Sequence, residues 1–197
     1  MKLVCLGDSV TYGYGVKRSE TWTTTLKKKL GVEVINKGIA GDTSAGMLSR
    51  VYNDVILNNP THTIIMGGVN DFVWNLNIDQ AAANLATIAF QLMQNNIIPI
   101  FGLSIPICSE MAKEKWDFLM NICDINNKLK KLNSLLKSFC KNYNIQIIDF
   151  YSFFIKDNGE GKEKYYIDGL HLNVNGNEKM VDIIFNTDIH NIISQVK

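Results

Sequence analysis

The sequence predicts an α/β fold, a three-layer sandwich in which helices cover both faces of a five-stranded parallel sheet. Short, continuous apolar runs alternate with longer amphipathic stretches along the 197 residues. Continuous apolar runs are typical of parallel strands that are buried on both faces, and the helix-length stretches between them supply the crossovers. We see no internal repeat, low-complexity tract or linker, so we expect one domain over residues 1–197.

The apolar and amphipathic stretches place the individual elements. Predicted strands cover 2–6, 33–35, 63–66, 97–103 and 145–150, and predicted helices cover 20–30, 44–57, 78–94 and 115–142. A last helical region begins near 175 and is interrupted near 186. Ligands of open α/β sheets bind where strands end and the next loops begin, so the loops after the strands should form one site.

Composition and charge exclude several classes of function. A formal net charge of +1 gives no electrostatic reason for binding nucleic acid or an anionic membrane. No apolar run is long enough to span a bilayer, and the run at residues 2–6 is too short for a signal peptide core, so we expect a cytoplasmic protein. The four cysteines form no Cys-x-x-Cys pair, which indicates reduced thiols rather than disulfides or a zinc site: Cys5, Cys108, Cys123 and Cys140.

The three histidines are the first candidates for a general base near neutral pH. His62 precedes a strand, at the end opposite to where sites form, and His190 lies among isoleucines in the final helix. His171 lies in the Gly-rich stretch "YYIDGLHLNVNG", three residues after Asp168. A carboxylate at that spacing can accept a hydrogen bond from the imidazole and leave its other nitrogen free to activate a serine. Ser9, in "CLGDSVTYGYG" after the first strand, is the serine that needs such a base.

Acyl transfer also needs donors for the oxyanion of a tetrahedral intermediate. The segments "NKGIAGDTS" and "GGVNDF" follow the second and third strands and contain Gly41 and Asn70. Taken alone, each residue is explained as a loop glycine or a turn former. Together with Ser9 and His171 at predicted strand ends, the backbone N–H of Gly41, the Asn70 amide and the Ser9 N–H are candidate oxyanion donors.

Four segments of the sequence resemble the conserved blocks of one enzyme family. "GDSVTYGYG" resembles the first block of the GDSL esterases and lipases, also called SGNH hydrolases, with Val10 in place of the leucine. "NKGIAGDTS", "GGVNDF" and "DGLHLN" are similar to the second, third and fifth blocks. The family's four invariant letters have matches here in the family's order: Ser9, Gly41, Asn70 and His171.

The resemblance implies a flavodoxin-like sheet in the order 2-1-3-4-5 and a Ser-His-Asp triad that uses no metal or cofactor. By transfer from the family, Ser9 is the nucleophile, His171 the base and then the acid, and Asp168 its orienting group. Gly41 and Asn70 would complete the oxyanion hole with the Ser9 N–H. The substrate is expected to be a small-molecule ester or thioester, as in the lysophospholipase and thioesterase branch.

Two alternatives stay open at this point. A carbohydrate O-acetylesterase has a similar plan, and a flavodoxin-like module could instead bind a phosphate-bearing ligand through Ser9, Thr11 and Gly13. The phosphate alternative gives no role to an Asp-x-x-His pair. The sequence does not specify an oligomeric state.

Other residues near the blocks receive smaller roles. Asp8 and Asp71 are expected to hold loops by hydrogen bonds rather than act on substrate. Phe72 and Trp74, next to Asn70, are the predicted lining of the site. The apolar residues in 105–118 could form a wall of the acyl pocket, but an apolar stripe is more often core, so we expect most of them to pack against the long helix that follows.

Overall fold

A computed structural model describes residues 1–116, 122–188 and 190–191. The strands are β1 (Lys2–Gly7), β2 (Glu33–Gly38), β3 (His62–Met66), β4 (Ile98–Gly102) and β5 (Gln146–Ile148). They form one parallel sheet in the order β2-β1-β3-β4-β5, which confirms the predicted fold class and strand order.

The helices lie between and after these strands. They are α1 (Ser9–Tyr12), α2 (Trp22–Leu30), α3 (Ser44–Asp54), α4 (Val69–Val73), α5 (Ile78–Gln94), α6 (Ser109–Lys115), α7 (Ile122–Tyr143), α8 (Phe150–Phe154) and α9 (Val174–Phe185). Among the described residues, no helix has the length and apolar character needed to cross a membrane.

Successive residues of a strand point to opposite faces of the sheet, and here both faces are buried. On β1, Val4 and Leu6 join the hydrophobic cluster beneath α3, α5 and α7. Leu3 and Cys5 join the second cluster, beneath α2, α8 and α9. This double burial explains why the strands are continuous apolar runs rather than alternating patterns.

Several helix ends differ from the sequence prediction. The second helix begins at Trp22 because the Thr21 side chain accepts the N–H of Thr24 and caps it there. Residues Arg18–Glu20, predicted in part as helix, form a 3-10 turn instead. The helix predicted over 44–57 ends at Asp54 and is followed by another 3-10 turn.

The predicted start of the fourth helix, at residue 115, was wrong. Ser109–Lys115 forms the separate helix α6, and α7 begins at Ile122. Residues 117–121 between them lie outside the described part of the chain. The last helix begins at Val174, close to the prediction, and ends at Phe185 beside the predicted interruption.

The structure describes the side chains of three of the four cysteines, and all three are buried, as expected. Cys5, Cys108 and Cys140 are buried and free, and burial is the largest influence that raises the pKa of each. The side chain of Cys123 lies outside the described residues.

The turn after β1 contains a buried carboxylate. Asp8 caps α1, because its Oδ1 accepts the backbone N–H of Val10 at 3.0 Å. Its loop-holding role was predicted and is confirmed. Burial raises the pKa of Asp8 to about 6, so the ionised form is less stable in the folded protein than in the unfolded chain.

We expect Asp8→Asn to stabilise the protein at pH 8 but not near pH 4. Asparagine keeps the acceptor for Val10 and removes the charge. Because the pKa of Asp8 is about 6 when folded and near 3.8 when unfolded, the wild-type protein loses stability as pH rises between these values. The two pKa values imply a gain for the variant at pH 8 of roughly 2 to 3 kcal/mol in the free energy of unfolding.

Urea unfolding at pH 4 and pH 8 measures this difference. Asp157→Asn, at an exposed carboxylate, is the matched control and should change little at either pH. An Asp8→Asn gain of equal size at both pH values would contradict the explanation.

Candidate active site

Ser9 lies at the carboxyl edge of the sheet, where β1 turns directly into a short helix. It is the first residue of α1 and is 8% exposed. The helix ends after one turn at Gly13, whose φ of +83° favours glycine. The chain therefore presents the Ser9 hydroxyl at the end of the strand, on the tight turn that the sequence predicted.

A chain of hydrogen bonds joins Ser9 to His171 and Asp168. The Ser9 Oγ lies 3.0 Å from Nε2 of His171, and the other ring nitrogen, Nδ1, lies 2.7 Å from Oδ2 of Asp168. All three residues are buried, although 162 positions separate the serine from the histidine. A carboxylate accepts only, so Nδ1 carries the proton and Nε2 is left to accept the Ser9 hydroxyl.

The loop that holds Asp168 and His171 is folded back on itself. Oδ1 of Asp168 accepts the backbone N–H groups of Leu170 and His171 at 3.0 and 2.8 Å. Gly169 has a φ of +87°, and a Cβ there would lie 2.4 Å from the backbone nitrogen of Ala112. Glycine is therefore required for the Asp-x-x-His segment to pack against α6.

The hydrogen bonds also set the charge of Asp168. Burial alone would raise its pKa, but the hydrogen bonds from the side chain and backbone of His171 hold the pKa below its ordinary value. Asp168 therefore stays ionised at neutral pH and remains an acceptor for the Nδ1 proton of His171.

Gly41 and Asn70 lie on the loops after the two strands that flank β1. The side-chain Nδ2 of Asn70 donates to the carbonyl of Asp42 at 2.9 Å, which ties these loops together. Gly41 is exposed and has a φ of +81°. Asp71 accepts the backbone N–H of Ser44 at 2.9 Å and also its hydroxyl, so its predicted loop-holding role is confirmed.

Arg50 fixes this edge of the sheet, and the sequence analysis missed it. From α3, its guanidinium donates to the carbonyls of Gly7 and Lys37 at 3.0 and 2.9 Å, the ends of β1 and β2. It also pairs with the carboxylates of Asp42 and Asp54 at 2.7 and 2.8 Å. An arginine 41 residues from Ser9 has no local motif that predicts such contacts.

Two aromatic rings contact His171. The ring of Tyr14 lies 4.3 Å from the imidazole between centroids, with an interplanar angle of 37°. The indole of Trp116 meets the imidazole edge-on at 5.7 Å. The sequence analysis assigned no role to Tyr14, although its place between two glycines of the first block was a usable indication.

The predicted lining of the site was partly wrong. Phe72 is fully buried in the core beneath α3 and α5, because it lies on the inner side of α4. Trp74, in contrast, is 66% exposed. Ile107 joins the core cluster beneath α7, as the packing interpretation predicted, whereas Ile105 joins the cluster on the opposite face of the sheet. Phe118 lies outside the described residues.

The other two histidines lie in different surroundings. His62 begins β3 at the amino end of the strand and is fully buried, and this burial lowers its pKa. His190 stacks on Phe185 at 5.3 Å. Of the three histidines, it is His171 that the structure brings to Ser9.

Known proteins match this chain over most of its length. The sequence profile described as the GDSL-like Lipase/Acylhydrolase family matches residues 5–179. Esterase TesA from Pseudomonas aeruginosa is 31% identical over 110 residues, which make up 53% of this chain and 55% of TesA. The match thus spans about half the length of that curated relative.

Solved structures of similar fold cover nearly the whole chain. An acylhydrolase candidate from Bacteroides fragilis NCTC 9343 is 26% identical with a TM-score of 0.83, over 98% of this chain and 88% of that one. A GDSL-like lipase from Bacteroides thetaiotaomicron VPI-5482 is 24% identical with a TM-score of 0.81, over 97% and 88%.

The matched range contains all four sequence blocks, from the turn at Ser9 to the loop at His171. The strand order agrees with the fold implied by the resemblance. The chain therefore belongs to the GDSL-like lipase/acylhydrolase family.

Proposed function

We propose that this protein hydrolyses small-molecule carboxylic esters or thioesters through an acyl-Ser9 intermediate. The observation that carries the proposal is the hydrogen-bonded chain from Ser9 Oγ through His171 to Asp168, with contacts of 3.0 and 2.7 Å. A serine hydroxyl is a weak nucleophile until a base takes its proton, and this chain supplies the base and its orienting carboxylate.

In the proposed reaction, Ser9 Oγ attacks the carbonyl carbon while its proton passes to Nε2 of His171. The imidazolium then gives that proton to the leaving alkoxide or thiolate as the bond to the acyl carbon breaks. Water enters, loses a proton to the same nitrogen, and attacks the acyl-serine. His171 returns the proton to Ser9 Oγ, which releases the carboxylic acid product.

The oxyanion donors are the Ser9 N–H, the Gly41 N–H and the Asn70 side chain. The first N–H groups of a helix have no acceptor within the helix, and Ser9 is the first residue of α1. The Asn70 amide nitrogen carries two hydrogens, and one of them bonds the Asp42 carbonyl. That bond orients the amide and leaves its second hydrogen to donate to the oxyanion.

We also infer that residues 1–197 act as one hydrolase domain. The two hydrophobic clusters lie on the two faces of the same sheet, and residues from both ends of the chain meet at Ser9 and His171. Neither cluster could be separated from the other without opening the sheet.

Exposed apolar side chains border the site and favour an acyl chain of several carbons. Backbone N–H groups of Tyr14 and Trp74 donate to the carbonyls of Ser9 and Asn70, and that of Ile167 donates to the His171 carbonyl. Each of these three border residues is at least 40% exposed. They can cover methylene groups of a bound substrate, which an acetyl group lacks.

We expect Ser9→Ala to reduce hydrolysis of a p-nitrophenyl ester by about 10³-fold or more, because the nucleophile is lost. The variant should melt as a folded protein and should not be labelled by a fluorophosphonate. Ser49→Ala, an exposed serine of α3, is the control and should react normally. Turnover that survives the loss of Ser9 would refute the proposal.

We expect kcat/KM to rise with pH through a single protonation step, because Nε2 of His171 must be unprotonated to act as the base. Asp168→Asn should lower kcat about 10³- to 10⁴-fold, since the orienting charge is lost. Asp8 has a pKa of about 6, so its own titration could produce such a rise. If His171 is the base, a rise should persist in Asp8→Asn. A profile that is flat from pH 5 to 8 would argue against His171 as the base.

Acyl length can be tested on p-nitrophenyl esters from acetyl to octanoyl. We expect kcat/KM to increase by about two- to fourfold per methylene over the first additions, because a fully buried methylene contributes about 0.8 kcal/mol. Release of acetate from acetylated xylose, measured alongside these esters, tests the carbohydrate alternative. A clear preference for acetylated sugar over butyryl and hexanoyl esters would identify an O-acetylesterase instead.

A further inference from the structure

Tyr14 covers the candidate base from a side that the hydrogen-bonded chain does not use. Its ring centroid lies 4.3 Å from that of His171, and yet the residue is 43% exposed. One part of the ring therefore rests on the imidazole while the rest faces solvent. Buried core packing does not account for an aromatic residue in such a position.

The local turn is built to hold Tyr14 in place. Gly13 and Gly15, on either side of it, have φ values of +83° and +84°, a region that favours glycine. The backbone N–H of Tyr14 donates to the carbonyl of Ser9 at 3.0 Å. A Cβ at Gly15 would lie 2.6 Å from Cδ1 of Ile167, so the turn also packs against the loop of His171.

We propose that Tyr14 is a positioning residue for His171, whose ring face holds the imidazole in line with Ser9 Oγ and stabilises the imidazolium formed during catalysis. This inference rests on the proposed function. The face of an aromatic ring is electron-rich and attracts a cation more than a neutral ring. The contact therefore strengthens as His171 gains its proton, so it stabilises the transition state more than the ground state.

Among the described residues, the carboxylates of Asp168 and Asp8 interact with His171 in addition to this ring. Asp168 bonds Nδ1 in the ring plane, and the buried carboxylate of Asp8 interacts with the imidazole electrostatically. Tyr14 differs from them because it contacts the imidazole ring to ring, with the two planes at 37°, and this contact opposes tilting of the imidazole away from Ser9.

The test compares Tyr14→Leu with Tyr14→Phe and with Tyr12→Leu. Leucine keeps apolar bulk and removes the ring, whereas phenylalanine keeps the ring and removes the hydroxyl. Tyr12 is the matched control, because it is the last residue of α1, two positions before Tyr14, is also 43% exposed, and faces Arg18 rather than His171.

We expect Tyr14→Leu to lower kcat about two- to fivefold and to move the acid limb of the pH profile roughly 0.4 to 0.7 pH units lower. Tyr14→Phe should retain the wild-type values, and Tyr12→Leu should change neither quantity. A Tyr14→Leu variant altered in KM alone, or with an unmoved acid limb, would overturn the inference.

A measurement that needs no substrate turnover tests the role of Tyr14 separately from the proposed function. The chain has three histidines, His62, His171 and His190, so the imidazole proton signals of Ser9→Ala protein can be assigned by substitution. Tyr14 should shift the His171 signals upfield through its ring current, and Ser9→Ala/Tyr14→Leu should lose that shift and titrate at lower pH. Unchanged His171 signals would refute the role of Tyr14, whereas an active Ser9→Ala protein would refute the proposed function.

Discussion

The site depends on how closely α1 lies on the end of the sheet. Gly7 and Gly38 are paired in the register of β1 and β2, and a Cβ on Gly38 would lie 2.1 Å from the backbone nitrogen of Tyr12. A Cβ on Gly7 would lie 2.5 Å from the Met66 carbonyl oxygen. Because both positions lack a side chain, the one-turn helix that begins with Ser9 rests directly on the strand ends. A larger residue at either position would lift Ser9 away from His171.

The same edge of the sheet concentrates negative charge. Asp8, Asp42 and Asp71 lie close enough that the latter two raise the pKa of Asp8 further, although burial is the larger cause. Arg50 balances this charge by pairing with Asp42 while it bonds the end of β1. The Arg50 guanidinium bonds two carboxylates and two backbone carbonyls. It therefore organises the loops without opposing a positive charge on His171. Asp8 nevertheless remains a buried acid beside Ser9.

The sequence predicted those features that depend on local patterns. Apolar runs located all five strands, and strand-end motifs identified Ser9 and His171 as partners before any distance was known. Sequence patterns did not predict the features that depend on how neighbouring elements pack. The separate helix α6 was missed because an amphipathic stretch does not reveal where one helix stops, and Phe72 was misplaced because the inner side of α4 depends on its neighbours. The contact of Tyr14 with His171 is set by a turn and a distant loop together, so spacing alone could not predict it.

A second set of hydrogen bonds aligns the two halves of the site independently of the catalytic groups. The buried indole of Trp22 donates from Nε1 to the Val10 carbonyl at 3.1 Å, and its backbone N–H donates to the Asn177 side chain at 3.0 Å. The Asn177 amide in turn donates to the carbonyl of Leu172, next to His171. This path connects the helix of Ser9 to the loop of His171 without passing through the hydroxyl or the imidazole. The alignment is therefore a property of the fold, and the reacting groups remain free to exchange a proton without holding the two loops together.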